Sequence, residues 1–223
     1  MSLTDYAPKP PELTVSTLLF RWKYAESKKH KRRPGVVWIT DLVSCPLKRK
    51  LSEMYPELSE ADPFNPVTLE GDIVHIGLEK LLKDIYGDRF QAEVEGEKKV
   101  SGVTVRGRID GLIDKVYGIE IKSVKGDYRT PHTHHVMQAL LEMWLFDLLE
   151  VEIVYVSRDS VLSYIVSDRV NRPEWSENYI LKDRLTDNDV AKMIADNTAP
   201  RYPEFECRYC SFAFCCPAKV SGR

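Results

Sequence analysis

Asp110, Glu120 and Lys122 bring together two carboxylates and an ammonium within thirteen positions of the chain. Val103, Val105, Ile109 and Ile113 alternate with Thr104, Arg106, Arg108, Asp110 and Leu112, which predicts a strand. A second run follows, in which Ile119 and Ile121 share one face and Glu120, Lys122 and Val124 share the other. An antiparallel register centred near residue 115 puts Asp110 opposite Glu120, with Lys122 one step along. Like charges directly opposite destabilise a strand pair, and a hard divalent cation bound through oxygen relieves them. Lys122 would supply a fixed positive charge beside that ion. An exposed hairpin can also carry solvated Asp, Glu and Lys with no chemistry at all, so the surrounding elements have to decide.

Those elements can be read in outline. Leu13 to Lys28 predicts an amphipathic helix, and Val36 to Ile39 a short strand or extended entry. Thr40 or Asp41 is expected to cap a helix through Leu42, Leu47 and Leu51, with Cys45-Pro46 in its first turns. Ser59 to Pro66 reads as a loop. Gly71 to Tyr86 predicts a helix with Val74, Leu78, Leu81, Leu82 and Ile85 as its apolar stripe and His75 beside it. Residues 90 to 100 supply a strand that turns at Ser101-Gly102 into the hairpin, giving a three-stranded meander. After Pro131 a helix runs through Val136, Leu140, Leu141, Leu145 and Leu148 and carries Gln138. A hairpin of 151–156 with 161–166 follows, then a short helix from Asp187 to Asn197. Residues 1–12 read as a loose, proline-bearing tail.

At 223 residues the chain suffices for one well-buried core, and 43% hydrophobic with 30% charged residues describes a folded protein. A net charge of -2 excludes nucleic-acid binding by global basicity. Local positive charge lies at Lys28 to Arg33 and at Lys48-Arg49-Lys50. With no run of about 18 apolar residues and no signal-peptide core, the expected location is cytoplasmic.

Five cysteines in such a chain argue for metal rather than a disulfide framework. Cys207-Arg-Tyr-Cys210 can bite one centre, Cys215-Cys216 follows after an aromatic spacer, and Cys45 can complete the set from far upstream. Four thiolates suit zinc or an iron-sulfur cluster, and spacing alone does not choose.

Helix with His75, hairpin with Asp110, Glu120 and Lys122, helix with Gln138: in this order the motifs resemble the PD-(D/E)xK nuclease superfamily. With the cysteines added, residues from about Trp38 to Pro217 resemble its CRISPR-associated RecB-like iron-sulfur exonucleases. That resemblance implies an α/β fold, restriction-endonuclease-like, with a central mixed sheet flanked by helices and a C-terminal cysteine-ligated iron-sulfur element. It implies a single nuclease domain over 1–223, with 200–217 as an iron-sulfur segment closed by Cys45. His75, Asp110, Glu120 and the backbone carbonyl of Ile121 would hold Mg2+ or Mn2+, Lys122 would be catalytic, and Gln138 would position Lys122 or the nucleotide. Cys45, Cys207, Cys210 and Cys216 would hold the cluster, a 4Fe-4S rather than a 2Fe-2S centre, leaving Cys215 spare. The expected substrate is single-stranded DNA cut from the 5' end during CRISPR spacer acquisition, with CRISPR integrase proteins as partners. Glu142 stands where this branch usually has Tyr four residues after the Gln, which removes an aromatic from substrate handling. Two other readings stay open: a non-catalytic zinc-ribbon nucleic-acid binder, and a nuclease subunit of a recombination or repair complex. No G-x-x-x-x-G-K-[ST] loop is present, so any motor would be a separate chain.

Overall fold

The computed structural model describes residues 14–29, 35–61, 66–126, 129–169, 178–196, 207 and 210–217. The expected tail at 1–12 and the side chains of the run from Lys28 to Arg33 lie outside them. Helices α1 (Val15–Lys29), α2 (Ile39–Val43), α3 (Pro46–Met54), α4 (Pro56–Ala61) and α5 (Pro66–Tyr86) fill the first part, interrupted by β1 (Val36–Trp38). Strands β2 (Phe90–Val100), β3 (Val103–Ile113) and β4 (Tyr117–Ser123) lead to α6 (Thr133–Phe146). The order ends with β5 (Glu150–Val156), β6 (Val161–Ser167), β7 (Tyr179–Leu181) and α7 (Asp187–Asp196).

All the strands join one mixed sheet in the order β1-β3-β4-β5-β6-β7, with β2 on the other edge of β3. The β2-β3-β4 meander is antiparallel, as the alternation predicts, and Gly111 pairs with Ile119 in the register centred on residue 115. Three pairs are parallel, β1 with β3, β4 with β5 and β6 with β7. Helix α5 packs on one face, where Val74, Leu78, Leu82 and Tyr86 meet Phe90, Ile113, Ile119 and Ile121. Helix α6 covers the other, where Ala139, Leu140 and Met143 meet Ile109, Val151 and Ile153. Period-two alternation therefore turns Glu120 and Lys122 away from α5 and toward α6.

Four expectations need correction. The helix from Thr40 to Leu51 is two helices, because the residue before a proline is pushed out of the α region and Cys45 is extended (φ -63°, ψ 119°). Cys45 thus caps α3 rather than lying inside a helix, and Asp41 accepts a hydrogen bond from the Trp38 N–H at 3.0 Å. The loop expected at 59–66 is shorter and α5 begins before Gly71, since Pro56 and Pro66 each occupy a first helical position, where a missing N–H costs nothing. On α5 the half-buried ridge is Val74, Leu78, Leu82 and Tyr86. Leu81 and Ile85, each one residue or about 100° round the helix from that ridge, are 57% and 72% exposed. Finally, α6 stops at Phe146, where Asp147 adopts the left-handed conformation (φ 54°) that ends helices.

Close packing around β4 depends on a missing side chain. A Cβ at Gly118 would lie 2.6 Å from Ile109 Cδ1, 2.8 Å from Leu148 Cδ1 and 2.9 Å from Val151 Cγ2. Gly118→Ala is expected to cost about 1–3 kcal/mol through overpacking. A urea unfolding midpoint that does not fall in this variant would contradict the packing described.

Candidate functional site

The site forms where the sheet forks. One edge of β3 is shared: Thr104 to Arg106 pair with β1, and Gly111 to Ile113 pair with β4. Gly107 to Asp110 lie between the two ladders, and the β3-β4 pairing stops one step before Asp110 would meet Glu120. There the Ile121 N–H donates to Asp110 Oδ2 at 2.7 Å, so a side-chain carboxylate takes the place of a ladder carbonyl. The fork opens into a cleft of ≈ 360 Å³ lined by Trp38, Thr40, Arg108, Asp110, Glu120, Lys122 and Gln138.

Glu120 is 4% exposed. Its Oε1 accepts from Lys122 Nζ and from Gln138 Nε2, each at 2.6 Å, while its Oε2, with the Glu142 carboxyl beside Glu120, has no amide, amine or hydroxyl partner among the described residues. Gln138 Oε1 in turn accepts from Lys122 Nζ at 2.9 Å, so one amide holds both the ammonium and the carboxylate. Gln138 Nε2 also reaches Glu142 Oε1 at 2.9 Å. Glu142, where an aromatic was expected from the resemblance, is fully buried behind this network and does not itself line the cleft, reaching it only through Gln138 and Glu120. Burial, with Glu120 beside it, pushes its carboxyl well above the usual range. The Glu120 carboxyl is raised as well, by burial and by Asp110, against the opposing pull of Lys122. Burial disfavours the charged Lys122, but Glu120 outweighs it, so the ammonium holds its proton more firmly than usual.

From the other side of the sheet α5 presents His75, whose Nδ1 lies 3.4 Å from Asp110 Oδ1. Burial works against the imidazolium, and Asp110 more than offsets it, raising the pKa. Glu79, one turn further along α5, was not singled out from the sequence. The donor atoms of His75, Glu79 and Asp110 lie within 4.8 Å of one another, while Glu120 is not in that group. Burial, then Glu93 and Asp110, raise the Glu79 carboxyl to about 7. The signal was available, since residues four apart share a helix face. Arg108, also missed, lines the fork and a second cleft of ≈ 350 Å³ beneath α1, which Trp22, Lys23, His75, Glu79 and Glu93 also line.

The residues present fit a hard divalent cation. Carboxylate and imidazole donors converge at the fork, and a buried carboxylate oxygen is left without an amide, amine or hydroxyl donor among the described residues. Away from the fork, all five cysteines are half-buried and free of disulfides. Burial raises the Cys210 thiol, with Cys45 and Cys216 adding to the effect against the opposing pull of the Phe212 backbone and Lys48; among the described residues the sulfurs of no three cysteines come within 4.8 Å of one another. Cys215 instead points its Sγ at the Phe212 carbonyl, 3.4 Å away. Cys207 is half-buried.

Comparison with known proteins adds to this geometry. The PD-(D/E)XK nuclease superfamily matches residues 7–217. The CRISPR-associated exonuclease Cas4 of Saccharolobus solfataricus is 30% identical over 213 aligned positions, covering 93% of this chain and the whole of that protein. The chain belongs to the Cas4 family. The crystal structure of SSO0001 superposes with a TM-score of 0.80 at 29% identity, covering 94% of this chain and all of that one. This Cas4 chain therefore has the PD-(D/E)XK nuclease fold, with Asp110, Glu120, Lys122 and Gln138 gathered at its fork and His75 beside Asp110. No helix among its described residues is long and apolar enough to cross a membrane.

Proposed function

We propose that this Cas4 chain is an Mg2+- or Mn2+-dependent exonuclease that cuts single-stranded DNA from the 5' end and trims DNA for CRISPR spacer acquisition. The observation that carries the reading is the fork, where a buried carboxylate with an oxygen unpartnered among the described residues sits beside an ammonium held by an amide. His75, Asp110, Glu120 and the Ile121 carbonyl would hold the cation. Bound there, it would lower the pKa of water and offset charge on the phosphate. Lys122 stabilises the charge that builds on phosphate oxygens as the bond breaks, and does so best in a cleft that excludes water. Gln138 fixes where the ammonium points. Asp110, pinned by the Ile121 N–H, keeps its other oxygen toward α5.

Cys45, Cys207, Cys210 and Cys216 would hold an iron-sulfur cluster, 4Fe-4S in preference to 2Fe-2S. Its role would be structural, tying residues 200–217 back to Cys45 within a single nuclease domain spanning 1–223. Cytoplasmic CRISPR integrase proteins are the proposed partners.

The test is digestion of 5'-labelled DNA with Mg2+ or Mn2+. Single strands are expected to shorten from the labelled end, duplexes to persist, and chelator to stop the reaction. Cleavage that continues in chelator, or release of the label only after the opposite end has been consumed, would remove the reading or its polarity respectively.

A further inference from the structure

We propose that Trp38 is a nucleobase-stacking residue, and that the β1 wall of the fork grips the base of an unpaired nucleotide whose phosphate lies beside Lys122. The inference rests on the nuclease reading and names what the site grips besides the phosphate.

Three observations combine. First, Trp38 lines the same cleft as Arg108, Asp110, Glu120, Lys122 and Gln138, and is the one aromatic among the described residues lining it. Glu142, standing where the resemblance calls for Tyr, is fully buried and offers no ring to a substrate.

Second, the indole is set before any substrate arrives. Trp38 pairs with Arg106 in the β1-β3 ladder, so their side chains share a sheet face, and the Arg106 guanidinium lies over the ring at 5.3 Å from its centroid. Glu95 pairs with that guanidinium, and the Trp38 N–H is tied to Asp41 at 3.0 Å. With one face of the ring taken by Arg106, the other face and the edge are what Trp38 offers the cleft. A half-buried ring braced from behind can stack on a base at little cost in ordering.

Third, the distribution of charge puts the strand at the fork. In the cleft beneath α1, which Trp22 lines, Lys23 and Arg108 are paired with Asp72 and Glu93, and Glu26 adds a further negative charge. A phosphate chain finds no hold there. At the fork, Lys122 and the cation that the site fits both attract phosphate, with Trp38 in the opposite wall. Every base has a π face, so the grip tolerates any sequence. A base inside a duplex has both faces covered by its neighbours and must first be unstacked, so the same contact favours single strands.

The experiment measures binding of short fluorescein-labelled single strands by anisotropy with Mn2+ present, in the cleavage-deficient Lys122→Ala background, with Trp38 intact or replaced by Leu or Phe. The strands are either intact or abasic at one of the first four positions from the 5' end. On intact DNA Trp38→Leu is expected to bind roughly 5–150-fold more weakly, the range for one base stacked on an aromatic side chain, and Trp38→Phe to recover most of that loss. One abasic position should weaken the protein with Trp38 intact by the same factor and leave Trp38→Leu no weaker than it already is, so that the two losses do not add. A Trp38→Leu loss that is equal on intact and on every abasic strand, or no loss at all, overturns the stacking site, while cleavage by the wild type keeps the nuclease reading. Should Trp38→Leu fail to fold, the protein with Trp38 intact decides alone: if no abasic position weakens its binding at least 5-fold, the site is overturned. A coupling between Trp38 and one base, in a wild type that cuts nothing under Mg2+ or Mn2+, upholds the stacking site and overturns the nuclease reading instead.

Discussion

Lys122→Ala is expected to lower kcat/KM for DNA cleavage by roughly 10²–10³-fold, about 2.7–4 kcal/mol, the range seen when one donor to a developing oxyanion is removed. The ammonium is held at 2.6 Å from Glu120 and 2.9 Å from Gln138, so its position is fixed before any substrate arrives. Its removal leaves Glu120 with the Gln138 amide as donor to Oε1 and a carboxyl already raised by burial, which can take up a proton instead of standing as a bare buried charge. The fold should therefore survive, which circular dichroism would verify beside the kinetics. Lys122→Met sharpens the experiment by keeping the stem and deleting only the charge, and should lose as much activity. Lys122→Arg should recover little, because a planar guanidinium does not reproduce a point charge between Glu120 and Gln138. Turnover within a few-fold of wild type in Lys122→Met would mean that the fork is not where phosphate charge is met.

Cys216→Ser and Cys215→Ser should behave oppositely although they alter adjacent residues. Cys216 is the proposed ligand with Cys45, Cys207 and Cys210, whereas Cys215 points its Sγ at the Phe212 carbonyl. The proposed cluster spans more than 150 residues between Cys45 and Cys207. Closing a loop of that length restrains the unfolded chain by about 5 kcal/mol on the cross-link model. Losing one of its ligands should thus lower the melting temperature by roughly 10–20 °C for a chain of this size. Cys216→Ser is expected to lose iron, brown colour and this stability, and Cys215→Ser to keep all of them. Iron content per chain and thermal melting decide it. Equal iron in both variants would remove Cys216 from the ligand set, and a colourless wild-type protein carrying zinc would replace the cluster while leaving the staple.

What could be read from the sequence was what depends on near neighbours. Alternation from Val103 to Lys122 gave the meander and the register that brings Asp110 toward Glu120, since both follow from period two and a short connection. The parallel pairings of β1 with β3 and β4 with β5 were not legible, because nothing local in Val36 to Trp38 says that Thr104 to Arg106 will receive it. Strand β7 was missed because three residues are too few to show alternation. The prolines misled for a specific reason: Pro46, Pro56 and Pro66 open helices here, while Cys45 and Tyr55, before Pro46 and Pro56, are pushed out of the α region. Glu79 was overlooked because attention on α5 followed the apolar stripe, while the helix is rotated to bring His75 and Glu79 toward Asp110 at the cost of exposing Leu81 and Ile85.

The shared edge of β3 also sets an order of assembly. The meander closes between residues near each other in sequence, whereas β1 must find β3 across the whole intervening run from Trp38 to Val103. Contacts that distant form late, since the chain loses entropy in closing the loop before any pairing rewards it. A refolding molecule should therefore present Asp110 and Glu120 to open water first, and acquire a walled cleft only when the amino-terminal segment docks. Catalytic competence should accordingly lag behind the recovery of sheet structure.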